Sequence, residues 1–333
     1  MFEILVFIVL IISILLILKG SDWLTDSLIP VANKLGTSYI AVTTILASFM
    51  ISTPEIFSSL YSFFLGHEEL GIGVLIGSVM INIGLTLGLS ASIKPLKIEK
   101  DILIRDGIFL VIVSFIVMIF GSDLRYDRTE GIVLILMFIP YMLNVWWFEK
   151  SRNIKTRENK VESLKTNMDL FGAQYPILKL EPGINTFVFG ALFLFIGSYF
   201  FSWSLIESAK IIKIPEVVIG IILGAIGTGM PNIAAGIQGT LKGYEDAALT
   251  ETFGSNIFTL LVTLGLFITL SPMTIPLKVF YYDLNWMVLL HVLLVAFIFK
   301  GFKYREESLT RYEGFILVVF YLTLIIFNVL FFH

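Results

Sequence analysis

The chain has 333 residues, 57% of them hydrophobic and 15% charged, with a mean hydropathy of +0.91. A composition this apolar excludes an ordinary soluble domain and places most of the chain in a bilayer. The net charge of −3 says little about partners, and the absence of cysteine excludes disulfides, thiolate metal sites and cysteine nucleophiles.

The N-terminal run "MFEILVFIVLIISILLILKG" has no basic leader and no small-residue cleavage site, so it reads as a first membrane helix rather than a signal peptide. A spanning helix needs about 20 apolar residues. Ten stretches meet that length: about 2–24, 38–66, 69–93, 103–121, 130–148, 183–208, 215–240, 246–270, 284–301 and 311–332. The breaks between them are short and polar, except for residues 149–182. That segment is charged and weakly apolar, and it divides the spans five and five.

The two groups of five share a pattern at a constant offset of 177 residues. Gly20–Ser21 matches Gly197–Ser198, Pro54 matches Pro231, and Gly77–Ser78 matches Gly254–Ser255. Gly88 matches Gly265, and Pro95 matches Pro272. Such repetition at one offset marks an internal duplication. Five spans per copy is odd, so the second copy must cross the membrane in the opposite sense, as in the inverted repeats of secondary transporters. The expected architecture is therefore an all-α membrane protein of ten transmembrane helices in two inverted-topology repeats, residues 1–148 and 183–333, joined by the 149–182 linker. With the N-terminus outside, cytoplasmic segments carry 18 of the 23 lysines and arginines, seven of them in the linker. The positive-inside rule then puts both termini outside and the linker in the cytoplasm. Trp23, Trp146, Trp147 and Trp286 fall near span ends, where aromatic anchors belong.

Candidate chemistry sits in the matched spans. "ISTPEIFSS" places Pro54 and Glu55 inside the second span, and "GTGMPNIAAG" places Pro231 and Asn232 inside the seventh. A proline there removes a backbone donor and is expected to unwind the helix locally. The freed carbonyls would join Ser52, Thr53 and Glu55, or Thr228 and Asn232, as clustered oxygens for a dehydrated cation. A proline kink satisfied by neighbouring hydroxyls is the bland reading of either helix alone; two copies at matched positions favour a site. In the third and eighth spans, Ser78 and Asn82 lie four apart on one helix face, as do Ser255 and Thr259, with Asn256 adjacent. Packing through small residues explains the glycines and serines of these spans, but an amide at membrane depth needs partners. Glu251 shares the face of Ser255 and Thr259, and its counterpart is Val74. Two roles stay open for Glu251: a second carboxylate in the site, or a solvated acid in a cytoplasmic vestibule.

Other polar residues have plainer readings. Asp106 and Asp283 match at the same offset and are expected to cap the starts of their helices. His291 reads as a satisfied core histidine. His67, in the turn "GHEEL", and His333 lie outside the spans. No phosphate loop, dinucleotide fingerprint or nucleophile–base pair is present, so the sequence points to no enzyme, nucleotide or nucleic-acid partner, and transport would be driven by a gradient.

At these residues the chain resembles the cation/calcium antiporter superfamily, the sodium/calcium exchanger group in particular. The first copy reads Ser52-Thr53-Pro54-Glu55, followed by Gly77-Ser78 and Asn82. The second reads Gly227-Thr228-Gly229-Met230-Pro231-Asn232, followed by Gly254-Ser255-Asn256 and Thr259. The resemblance implies exchange of Ca2+ or a related cation against a Na+ gradient by alternating access, with spans 1 and 6 sliding past the rest. It implies metal ligands at Glu55, Ser52, Ile51 (backbone only), Ser78, Asn82, Thr228, Gly229 (backbone only), Asn232, Ser255 and Thr259. No permanently bound cofactor is implied; the partners are inorganic cations and the lipid of the cell membrane, and the protein is expected to be monomeric. Members carry a glutamate in both copies, whereas here the second position is Asn232. Either Glu251 restores the charge or the ion differs. Cation/proton exchange through Glu55 and a transport-inactive relative are the alternatives this departure leaves open.

Overall fold

The computed structural model describes residues 2–34, 52–97, 100–151, 180–241, 245–304 and 309–331. In lipid only internally bonded backbone is stable, and the described chain is accordingly helical almost throughout. The helices are α1 (Phe2–Lys34), α2 (Thr53–Phe64), α3 (Glu68–Ile93), α4 (Lys100–Asp123) and α5 (Arg128–Ser151) in the first half. The second half contains α6 (Ile184–Ile212), α7 (Glu216–Leu241), α8 (Glu245–Phe258, continuing to Leu270), α9 (Val279–Leu284, continuing through Asn285–Tyr304) and α10 (Arg311–Phe331). Among the described residues nine of these are long and apolar enough to cross a membrane. α2 comprises the twelve residues Thr53–Phe64, and Ile51 lies outside the described residues.

Burial separates centre from rim. In its most apolar stretch α3 is 94% buried, whereas α5 is 17% buried and covered on its outer face by Val133, Leu136 and Leu143 pointing outward. The lipid-facing side chains are apolar because lipid, unlike water, has nothing to offer a polar group. α3, α7 and α8 form the centre, with α2 beside them. α1 and α6 form a long antiparallel pair against this centre. Its tightest point is Gly20, where a Cβ would stand 2.8 Å from the carbonyl oxygen of Gly190, so no larger residue fits without shifting the helices.

Two small β contacts tie the loops. β1 (Arg125–Tyr126) pairs antiparallel with β2 (Met273–Thr274), joining the α4–α5 and α8–α9 turns at one face. Leu96 bridges to Leu309, joining the α3–α4 and α9–α10 turns at the other.

Two expectations are corrected. α7 does not unwind at Pro231: its helix continues from Ala225 to Leu241 with the proline inside. The irregularity lies earlier, as a π-helical turn at Gly220–Gly224. Asp106 and Asp283 are not helix caps. Both are buried within π turns, Leu103–Gly107 and Val279–Leu284, and both are ion-paired. Asp106 takes two contacts from Arg105, at 2.6 and 2.7 Å, and one from the Tyr141 hydroxyl at 3.2 Å. Asp283 pairs with Lys278 at 2.9 Å and accepts from Asn328 at 3.4 Å. A carboxylate sunk this far needs a cation more than a helix end does.

Candidate functional site

The described part of α2 begins at Thr53, with Pro54 in the first turn, where its missing N–H costs no helical bond. Glu55 follows in the same turn, near the positive end of the helix dipole, which favours a carboxylate there. It is 1% exposed, and its Oε2 has no hydrogen-bond partner among the described residues. Ser52, just before the helix, lies 3.2 Å from Ser255 Oγ of α8, both buried. This contact joins the start of α2 to the α8 motif. Thr259, also buried, opens the π turn Thr259–Thr263, as Asn82 opens Asn82–Leu87. A π turn leaves a carbonyl short of its usual donor and is common at functional sites.

The amides form a directed chain. Asn232 of α7 donates from Nδ2 to Asn82 Oδ1 at 3.1 Å, and Asn82 of α3 donates to Asn256 Oδ1 of α8 at 2.9 Å. Asn256 Nδ2 donates to the Val79 carbonyl at 3.0 Å and approaches His291 Nε2 of α9 at 3.4 Å. The polarity follows from the far end. His291 Nδ1 lies 2.8 Å from the Met287 carbonyl, which only accepts, so Nδ1 carries the proton and Nε2 accepts. Ser114 Oγ, donating to Leu110, sits 3.0 Å from the same Nδ1–H. Asn256 must therefore turn its NH2 toward His291 and Val79, which fixes Asn82 and then Asn232 in turn. The free end of the chain is Asn232 Oδ1, a buried carbonyl oxygen without a partner among the described residues.

Asn232 lines a small cavity between α3, α7 and α8, together with Asn82, Ser255, Glu251, Thr86, Thr252 and Gly236. Of the sequence candidates, four therefore share one cavity, and Ser52 reaches it through Ser255. Ser78 and Thr228 are buried but donate their hydroxyl protons to their own helices, to the carbonyls of Leu75 and Gly224, each at 3.0 Å. Their lone pairs remain as acceptors. Gly229 sets the α7 backbone against Ile81 of α3, a Cβ there standing 3.1 Å from Ile81 Cγ2. Among the described residues no three acidic or histidine side chains gather as a metal cluster, so an ion here would be held mostly by neutral oxygens. The structure adds Thr86 to the sequence-derived set, along with the orienting role of Asn256 and His291. A hydroxyl one turn beyond Asn82 was the only available signal for Thr86.

Known proteins resemble this chain along nearly its whole length. The chain is 26% identical to the sodium/calcium exchanger MaX1 of Methanosarcina acetivorans, over 96% of this chain and 97% of that protein. It is 24% identical to the inner membrane protein YrbG of Escherichia coli, over 85% and 86% respectively. Its fold matches solved structures of the sodium-calcium exchanger NCX_Mj, one with a TM-score of 0.64 at 23% identity, covering 97% of this chain and 99% of that one. The profile of the family described as sodium/calcium exchanger protein matches residues 5–147 and 183–330, and this integral membrane chain belongs to that family.

Proposed function

We propose that the protein exchanges Na+ for Ca2+ across the membrane by alternating access, with the cation held between α2, α3, α7 and α8. The observation that carries this is Glu55: a carboxylate buried at membrane depth, at a helix start, with an oxygen left unpartnered by the described residues. An uncompensated charge there is costly, and a bound cation removes the cost. Ser52, Ser78, Asn82, Thr228, Asn232, Ser255 and Thr259, with the backbone at Ile51 and Gly229, are the neutral oxygens of this reading.

In the same reading the chain is ten spans in two inverted repeats. Support comes from residues that touch their own counterparts 177 positions away: Asn256 with Val79, and His291 with Ser114. Such self-contacts fall on the axis that relates two copies. The loop bridges agree, since Tyr126–Met273 and Leu96–Leu309 exchange counterpart loops. The glycine approaches do too: Gly88 meets Gly314 of α10 as Gly265 meets Gly131 of α5, although these last helices of the two halves are 183 rather than 177 residues apart. The lysine and arginine bias supports a cytoplasmic linker. α1 and α6, the outer pair, are the moving part.

The test is calcium uptake into sodium-loaded proteoliposomes. The wild-type protein takes up calcium in proportion to the sodium gradient, and Glu55→Gln falls to the level of empty liposomes. Wild-type-like uptake by Glu55→Gln would overturn the site. Uptake that follows a pH gradient and ignores sodium would overturn the ion pair.

A further inference from the structure

The 177-residue offset maps the residues lining the cavity between α3, α7 and α8 onto a counterpart set that includes Glu55. Asn232 corresponds to Glu55, Thr86 to Thr263, Asn82 to Thr259, Ser255 to Ser78, and Glu251 to Val74. Each set holds one carboxylate, on α2 in one and on α8 in the other. In both sets the same two positions present buried oxygens without partners among the described residues. They are Glu55 Oε2 and Thr263 Oγ1 in one set, and Asn232 Oδ1 and Thr86 Oγ1 in the other. The two places differ in packing at the fifth position. Val74 is fully buried against α7, where a Cβ on Gly224 would stand 2.6 Å from its Cγ2. Glu251 is half-buried and lines open space.

We propose that this cavity is a second cation station, in which Glu251 supplies the carboxylate that position 232 lacks. Asn232 Oδ1 and Thr86 Oγ1 are its neutral ligands, the first oriented by the amide chain ending at His291. The free centre of the cavity is about the size of one water molecule, which suits a single hard cation of Na+ or Ca2+ size and excludes organic solutes. Oxygen donors with one carboxylate match the chemistry of such ions. The station lies toward the face of the Leu96–Leu309 bridge, because its residues occupy the C-terminal halves of α3 and α7 and the N-terminal half of α8. The inference rests on the exchange reading for its cargo, but it makes its own demand: affinity follows the carboxylate, wherever in this cavity it is attached.

Calcium titration of the purified full-length protein, followed by calorimetry, tests this, with thermal unfolding as the folding control. Glu251→Gln is expected to weaken calcium binding roughly tenfold or more. Adding Asn232→Glu to Glu251→Gln, which moves the acid back to α7, is expected to restore affinity to within about threefold of wild type. Thr86→Val, a milder change, is expected to weaken binding about threefold and serves if Glu251→Gln fails to fold. Wild-type affinity in Glu251→Gln, or no recovery in the double variant, overturns the station. Loss of exchange in Glu55→Gln alongside an unaltered Glu251→Gln removes the station and leaves the exchange reading intact. A Glu251-dependent calcium site in a protein that exchanges nothing does the reverse.

Discussion

α2 and α7 carry their prolines at counterpart positions, yet one helix starts at its proline and the other runs through it. The difference follows from where each ring falls. In the first turn of α2, Pro54 replaces an N–H that has no helical acceptor anyway. In the middle of α7, Pro231 takes a donor from the Gly227 carbonyl, and the helix absorbs the loss without opening. The acids differ in parallel: α2 keeps its glutamate at the helix start, whereas α7 has an amide whose orientation is imposed from three helices away. A duplicated motif thus has two local solutions, one built on a helix dipole and one on a hydrogen-bond chain.

The largest expected effect probes the two halves at their buried ion pairs. Asp106→Ala leaves Arg105 and Asp283→Ala leaves Lys278 as a largely buried cation without its carboxylate, a change that costs roughly 3–5 kcal/mol. Asp106→Ala should sit at the lower end, because the Arg105 guanidinium keeps the Phe148 ring 4.5 Å away. Denaturant unfolding in detergent measures both. Equal, small losses would mean that the pairs are solvated and that the halves are not held by them.

Replacing the prolines themselves is a smaller and more pointed change. Pro231→Ala restores a donor to Gly227 in a helix interior and should stabilise the protein by roughly 1–3 kcal/mol. Pro54→Ala, at a helix start, should change stability by less than about 0.5 kcal/mol. Calcium uptake should slow in Pro231→Ala, since a carbonyl beside Thr228 and Asn232 becomes bonded. Equal effects at both positions would erase the distinction between the two helices.

Much of this comparison is legible in the sequence. The apolar runs gave several helices to within a few residues, as with α3 at 69–93 expected and Glu68–Ile93 found, whereas α1 continues ten residues past its expected end, to Lys34. The constant offset marked the matched positions, because glycine, serine and proline at helix contacts leave a residue-level trace. Three features left no such trace. A π turn is an extra residue in a helix and no residue type encodes it, so the irregularity of α7 was assigned to Pro231 rather than to Gly220–Gly224. Asp106 and Asp283 read as caps from their position alone, since nothing in the sequence marks Arg105 and Lys278 as their ion-pair partners. The amide chain joins residues on α3, α7, α8 and α9, and only the folded packing tells which end of each amide is free.

That chain supplies the smallest expected effect. His291 and its counterpart Ser114 touch each other, so the second half has an imidazole where the first has a hydroxyl. His291→Leu removes the acceptor of one Asn256 N–H and should destabilise the protein by about 1–2 kcal/mol, as an unmade buried hydrogen bond does. Cation affinity should fall by less than about threefold. The reason is geometric: the Val79 carbonyl still holds Asn256 Nδ2 at 3.0 Å, and that bond alone fixes the amide and everything downstream of it. Asn256→Leu removes both anchors and frees Asn82 and Asn232 to flip, so its affinity should fall well below that of His291→Leu at similar stability. Calorimetric titration of the two variants side by side separates the cases. If His291→Leu loses as much affinity as Asn256→Leu, the imidazole rather than the Val79 carbonyl sets the polarity of the chain, and the orientation of Asn232 is controlled from the second half alone.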